Sequence, residues 1–169
     1  MKKITIKTNE EKSLLYKCYI LFLLVIVLDQ ITKYLITINQ ELIYKPLVLV
    51  PGLINIVSVR NTGAAWGIFH DNNVVLLFVA FIAFFILVFS FRSISEGFPE
   101  RYIALALILG GILGNSIDRL FRQSVVDFLD FQIKSYHWPA FNIADSSICV
   151  GVCLLILSFL FRPSKKVRS

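Results

Sequence analysis

Histidine, cysteine and charge are scarce in this chain of 169 residues, and each scarcity narrows what it can be. The two histidines, His70 and His137, lie outside the long apolar runs. Cys18 and Cys153 fall inside such runs, and Cys149 sits one helical turn before Cys153. A metal site would need more ligands near them than the sequence offers, so the cysteines read as small apolar packing residues. An H-E-x-x-H helix and a G-x-S-x-G elbow are both missing, and Ser146 and Ser147 have no histidine base nearby. Charged residues make up only 17% of the chain, and none lies between positions 74 and 91. A basic stripe interleaved with aromatics is absent as well, so no nucleic-acid partner is expected. The chain shows no internal repeat and no low-complexity tract.

What is abundant is apolar. Hydrophobic residues reach 57%, the mean hydropathy is +0.75, and there are fifteen phenylalanines. A water-soluble domain of this size is usually less apolar. Residues 74–91, VVLLFVAFIAFFILVFSF, are eighteen residues without a charge. At about 1.5 Å per residue they reach roughly 27 Å, close to the thickness of a hydrocarbon core. CYILFLLVIVL (18–28) is a second run, and residues 143–161 are another. YIALALILGGILGNSI (102–117) is a weaker span, interrupted by Gly110, Gly111 and Gly114. The fold expected is an all-α membrane protein. Four transmembrane helices run over about 14–36, 73–91, 101–119 and 143–161 in one integral domain, with a small β-rich extracytoplasmic cradle.

Lysine and arginine orient the spans. The N-terminal segment, the loop at 92–101 and the C-terminal tail fall on one side after four crossings, and they hold 11 of the 17 basic residues. Both termini are therefore expected to be cytoplasmic, and the net charge of +6 mostly reflects this bias. The first run contains Asp29 and Lys33, and no small-residue cleavage site follows it, so it is expected to stay as an uncleaved helix. Two longer segments then lie outside. In the first, about 45–69, LVLVPGLINIVSV (47–59) is rich in β-branched residues and split by Pro51-Gly52, which predicts two short strands around a turn. In the second, about 120–142, VVDFLDFQI (125–133) is a possible strand.

Polar residues gather at that outer face. Asp29, Asn61, Asn115, Asp118, Arg119, Asp127, Asn142 and Asp145 all fall at or just below it. Ionisable groups at this depth usually face a bundle interior or a cavity, and they mark function. Each also has a plainer reading. Asp29 and Lys33, spaced i, i+4, suit an ordinary surface ion pair. Asn142 suits a helix N-cap with Asp145 at N3. Arg119 suits a lipid phosphate, NTGAAWG a small-residue turn, and Asp127 and Asp130 solvated loop acids. Taken together the set points further. One carboxylate opens the last helix and another lies in the loop leading to it, so a returning loop can join them. Two carboxylates in contact share a proton, which is the equipment of an aspartic hydrolase. The rival is a small proton-coupled membrane transporter using interfacial carboxylates, although the charge-free second span argues against it.

Five motifs carry a resemblance: LDQITK (28–33), NTGAAWGIF (61–69), GGILGNSIDR (110–119), VVDF (125–128) and WPAFNIADSSI (138–148). In order and spacing the chain resembles lipoprotein signal peptidase, the bacterial type II signal peptidase, from about Asp29 to Gly151. The resemblance implies catalytic aspartates at Asp127 and Asp145, with Asp130 outside the pattern. It implies supporting or substrate-binding residues at Asp29, Asn61, Gly63, Asn115, Arg119 and Asn142. It further implies a diacylglyceryl-modified prolipoprotein substrate cut on the amino side of the lipidated cysteine. Inhibition by cyclic peptides such as globomycin and residence in the bacterial inner membrane follow from the same likeness. Neither a metal nor an organic cofactor is expected. The G-x-G-D signature of presenilin-type proteases is missing, since Gly114 is followed by Asn115.

Overall fold

A computed structural model of the chain describes residues 9–63, 72–134 and 136–162. The elements run α1 (Asn9–Ile38), α2 (Glu41–Tyr44), β1 (Leu47–Val50), β2 (Ile54–Asn61), α3 (Asn73–Ser95), α4 (Pro99–Arg122), β3 (Val125–Ile133), β4 (Tyr136–His137) and α5 (Ile143–Phe161). Among the described residues four helices, α1, α3, α4 and α5, are long and apolar enough to cross a membrane. The chain is a multi-pass membrane protein, mostly helical, with one small antiparallel sheet.

The weakest apolar run forms the centre of the bundle. Helix α4 packs against α1, α3 and α5, and 61% of its spanning window is buried. It meets other helices rather than lipid, so it needs no unbroken apolar surface. It needs small residues that let backbones approach. A Cβ at Gly111 would collide with the Ala144 carbonyl oxygen of α5, and one at Gly114 would stand 2.7 Å from Asp29 Oδ2 on α1. The glycines that interrupt the hydropathy signal are thus contact points. Helix α3 is the opposite case. It is apolar all round, none of its spanning window is buried, and Phe85, Ile86 and Phe89 are exposed. In a bilayer such residues face acyl chains.

The end of the bundle where α4 begins is fastened by one buried cation. Arg101 donates to Glu96, to Ser158 Oγ and to the carbonyl of Arg162, with the rings of Phe98 and Phe159 over its guanidinium.

At the opposite end lies the sheet, in the order β1-β2-β3-β4. Pro51-Gly52 makes the β1–β2 turn, with Gly52 at φ +74°. Strand β2 pairs with β3, placing Asn61 opposite Val125, Val59 opposite Asp127 and Asn55 opposite Asp130. After β4 the chain doubles back along β3. Trp138 N–H donates to the Phe131 carbonyl, and Phe141 exchanges backbone hydrogen bonds with Leu129. The returning segment therefore delivers Asn142 and α5 to the start of β3.

Candidate active site

Helix α5 opens with a capping box. Asn142 Oδ1 accepts the N–H of Asp145 at 2.9 Å, and Asp145 Oδ2 accepts the N–H of Asn142 at 3.2 Å. The plain reading of these two residues is thus realised, and such a cap contributes about 1 kcal/mol to a helix. Asn142 also does more than cap. Its Nδ2 donates to Asp127 Oδ1 at 2.7 Å, so one amide holds both carboxylate-bearing segments. It is fully buried and donates a further bond to Asn115 Oδ1 at 3.2 Å.

Asp127, on β3, is not a solvated loop acid, since only 2% of its surface is exposed. Its second oxygen accepts Asn61 Nδ2 at 2.9 Å. Asn61 Oδ1 in turn accepts the Gly63 N–H, and the Gly63 carbonyl accepts Arg119 Nη2 at 3.1 Å. Asp145 receives Asn115 Nδ2 at 2.7 Å. Burial first, and then the neighbouring Asp145 carboxylate, push Asp127 from 3.8 up to about 6. The donors on Asn61 and Asn142, and the Lys33 ammonium, pull in the other direction.

Both aspartates line a cavity of about 670 Å³. Asn61, Asn115 and Arg119 complete its polar wall, and Val125, Trp138, Pro139, Phe141 and Val150 supply apolar surface. A lining that combines these polar groups with apolar walls suits an amphipathic ligand. Among the described residues no group of three or more His, Cys, Asp or Glu could hold a metal ion.

The structure thus gathers Asn61, Gly63, Asn115, Arg119, Asp127, Asn142 and Asp145 around one cavity. Asp29 stands behind it: fully buried, it reaches Asp145 through the backbone, accepting the Ala144 N–H at 2.9 Å. Of the NTGAAWG motif and the outer segment around it, positions 64–69 lie outside the described residues. Lys33 and Asp118 are the residues whose placement the sequence concealed. Lys33 bridges Asp29 at 2.8 Å and Asp118 at 3.0 Å, with all three side chains fully buried. The i, i+4 spacing of Asp29 and Lys33 was the available signal, but the same spacing serves an exposed pair.

Asp130 is separate from this group. It lies three residues beyond Asp127 on β3, and an odd spacing along a strand turns it to the other face. There it accepts Asn55 Nδ2 at 2.9 Å and pairs with His137 Nδ1 at 2.9 Å. Asp130→Asn is expected to keep turnover within about threefold and to lower stability by about 1 kcal/mol. Precursor cleavage and thermal melting measure the two effects. A folded Asp130→Asn protein that no longer cleaves would move the choice of acid from Asp127 to Asp130.

The chain is similar over most of its length to known proteins. The family described as Signal peptidase (SPase) II matches residues 21–161. Two solved structures, each described as a bacterial membrane enzyme determined by the in meso method, are 36% identical to the chain. One superimposes with a TM-score of 0.81, covering 90% of this chain and 93% of the other. The second gives 0.78, with 88% and 94% covered.

Proposed function

The chain belongs to the signal peptidase II family, and on that premise we propose that it is an aspartic endopeptidase of lipidated precursors. The substrate is a diacylglyceryl-modified prolipoprotein, cut on the amino side of the modified cysteine. Asp127 and Asp145 are the catalytic pair. The single observation that carries this reading is the Asn142 amide, which accepts from the Asp145 N–H while donating to Asp127 at the wall of an amphipathic cavity.

In the proposed reaction the two carboxylates share one proton, which belongs to the pair. The ionised member accepts a proton from water as the water oxygen attacks the scissile carbonyl carbon. The protonated member donates a hydrogen bond to the carbonyl oxygen and stabilises the charge that develops there. The tetrahedral diol then collapses. The carbon–nitrogen bond breaks, and a dyad proton passes to the departing nitrogen. A signal peptide with a new carboxylate and a chain with a free amine on its lipidated cysteine leave the site. No bond forms between enzyme and substrate.

Arg119 and Asn61 supply donors for the substrate backbone, with those of Arg119 charge-assisted. The apolar wall formed by Trp138, Pro139 and Phe141 suits the signal segment and the acyl chains. The bilayer already concentrates both. With the termini cytoplasmic, as the basic residues favour, the cavity opens near the outer face of the bacterial inner membrane. The outer strands β1 and β2, within residues 47–61, then form a cradle over it. Cyclic peptides such as globomycin are expected to compete for the same groove. A small proton-coupled transporter is not favoured, because the family match is to a peptidase.

The test is direct. The purified protein is incubated with a lipidated precursor and with its unlipidated counterpart in ¹⁸O-water. Mass spectrometry should find one cut before the lipidated cysteine and one heavy oxygen in the signal-peptide carboxylate. Cutting elsewhere, or no cutting by the intact protein, overturns the reading.

A further inference from the structure

The proposed reaction uses nothing behind the cavity, yet the most expensive groups in the bundle lie there. The Lys33 ammonium is completely buried and meets three acceptors: Asp29 Oδ2, Asp118 Oδ2 and Asn115 Oδ1, at 2.8, 3.0 and 2.9 Å. A lysine has three N–H donors, and these three acceptors match them. Gln30 and Arg122 close the outer side of Asp118. Burying so many charges costs several kcal/mol per ion before pairing returns it, and apolar side chains of the same volume usually stabilise a core as well or better. Stability alone is a poor account of this cluster.

The other contacts of the three acceptors give a better one. Asp29 Oδ1 accepts the N–H of Ala144, the residue before Asp145, at 2.9 Å. Asp118 Oδ2 accepts the N–H of Val126, the residue before Asp127, at 3.1 Å. Asn115, its oxygen held by the ammonium, turns its nitrogen to Asp145 Oδ1 at 2.7 Å. One ammonium thus gathers three groups, and each grips the dyad at a different point. The backbone beside each aspartate is tied to the same nitrogen atom.

We infer that Lys33 is the positioning residue of the dyad. Its ammonium sets the distance between the strand that carries Asp127 and the helix turn that carries Asp145, and it fixes which way the Asn115 amide points. The inference rests on the dyad reading above. Lysine suits the task because its donors radiate from one compact atom, whereas a guanidinium is planar, longer and forked.

Two variants separate positioning from charge balance. Lys33→Arg keeps the charge but changes the spacing. Lys33→Met combined with Asp29→Asn and Asp118→Asn removes the cation and both anions together. In the second variant each asparagine oxygen can still accept the backbone N–H beside its aspartate. Both are assayed in detergent micelles against a lipidated precursor, beside the wild type and Asp145→Asn. A misplacement of about 1 Å can lower a rate about 100-fold. The expected result is a kcat at least about 30-fold lower in both variants, with KM within about threefold and the melting transition retained. Wild-type kcat in either folded variant overturns the inference, because charge balance alone would then account for Lys33. Failure of both variants to fold overturns it too, since the lysine would be a folding requirement. A wild-type protein that does not cleave counts against the proposed function rather than against Lys33.

Discussion

Asparagine at position 127 or 145 is expected to lower precursor cleavage by about 10³-fold or more while leaving a folded, membrane-inserted protein. Each change removes a titratable group with almost no change in size. The water then has no base, or the carbonyl has no acid. Asp127→Asn carries a second, separable expectation. Asp127 rises from 3.8 to about 6 in the folded protein, so folding penalises its ionised form. The stability it contributes is complete below its unfolded value and is lost as pH rises through about 6. A shift of about two units corresponds to roughly 3 kcal/mol. Asparagine cannot ionise and escapes that penalty. Against it stands a cost independent of pH. The amides facing position 127, Asn61 and Asn142, are each held by a backbone N–H at their oxygen, so both present nitrogen. The new amide nitrogen meets one of those donors. The melting temperature of Asp127→Asn, taken relative to wild type, should therefore climb between pH 4 and pH 7. A flat or falling difference would remove the argument for a buried carboxylate that resists ionisation. Normal cleavage by either variant would end the dyad assignment.

The second large effect belongs to Asn142. Asn142→Ala removes the acceptor that caps α5 and the donor that holds Asp127. The cap is worth about 1 kcal/mol and up to about 2. Loss of the amide nitrogen leaves a buried carboxylate oxygen short of a partner. With the dyad no longer held by a common group, kcat is expected to fall about 100-fold at nearly unchanged KM. Asn142→Ser separates the two roles, because its hydroxyl keeps a cap acceptor while the amide donor to Asp127 is lost. A similar loss of kcat is expected with less loss of stability. Should the activity of Asn142→Ala fall only in proportion to its folded fraction, Asn142 would be a cap and nothing more.

How much of this was readable in advance varies with the element. Helix α3 announces itself through its charge-free run, because it touches lipid on nearly every side and hydropathy measures that contact. Helix α4 is faint for the converse reason. Gly110, Gly111 and Gly114 sit against α1 and α5, and a close helix contact looks to a hydropathy scale like an interruption. Pro51-Gly52 signalled the first hairpin through turn chemistry. The pairing of β2 with β3, and the doubling back of 138–141, depend on contacts between distant parts of the chain that no local pattern encodes. Asn142 and Asp145 offered two readings, cap and catalytic support, and the geometry allows both at once. Lys33 was the hardest residue to place. A lysine four residues after an aspartate looks the same in sequence whether water or protein surrounds it, and only the arrival of α4 with Asp118 and Asn115 distinguishes the two cases.

The doubling back of 138–141 along β3 has a consequence for how the chain tolerates change in length. At the hairpin tip, where Lys134 already adopts φ +58°, an extra residue only lengthens an exposed bend. Between Trp138 and Phe141 the backbone is tied to β3 at both ends, by the Trp138 N–H to the Phe131 carbonyl and by the Phe141–Leu129 exchange, and the four residues all line the groove. One residue gained or lost between those two ties would break one of them, shifting the greasy wall and dragging the start of the last helix out of place. Relatives that diverge from this chain should therefore vary in length at the bend and keep a constant count along the rung-bearing stretch.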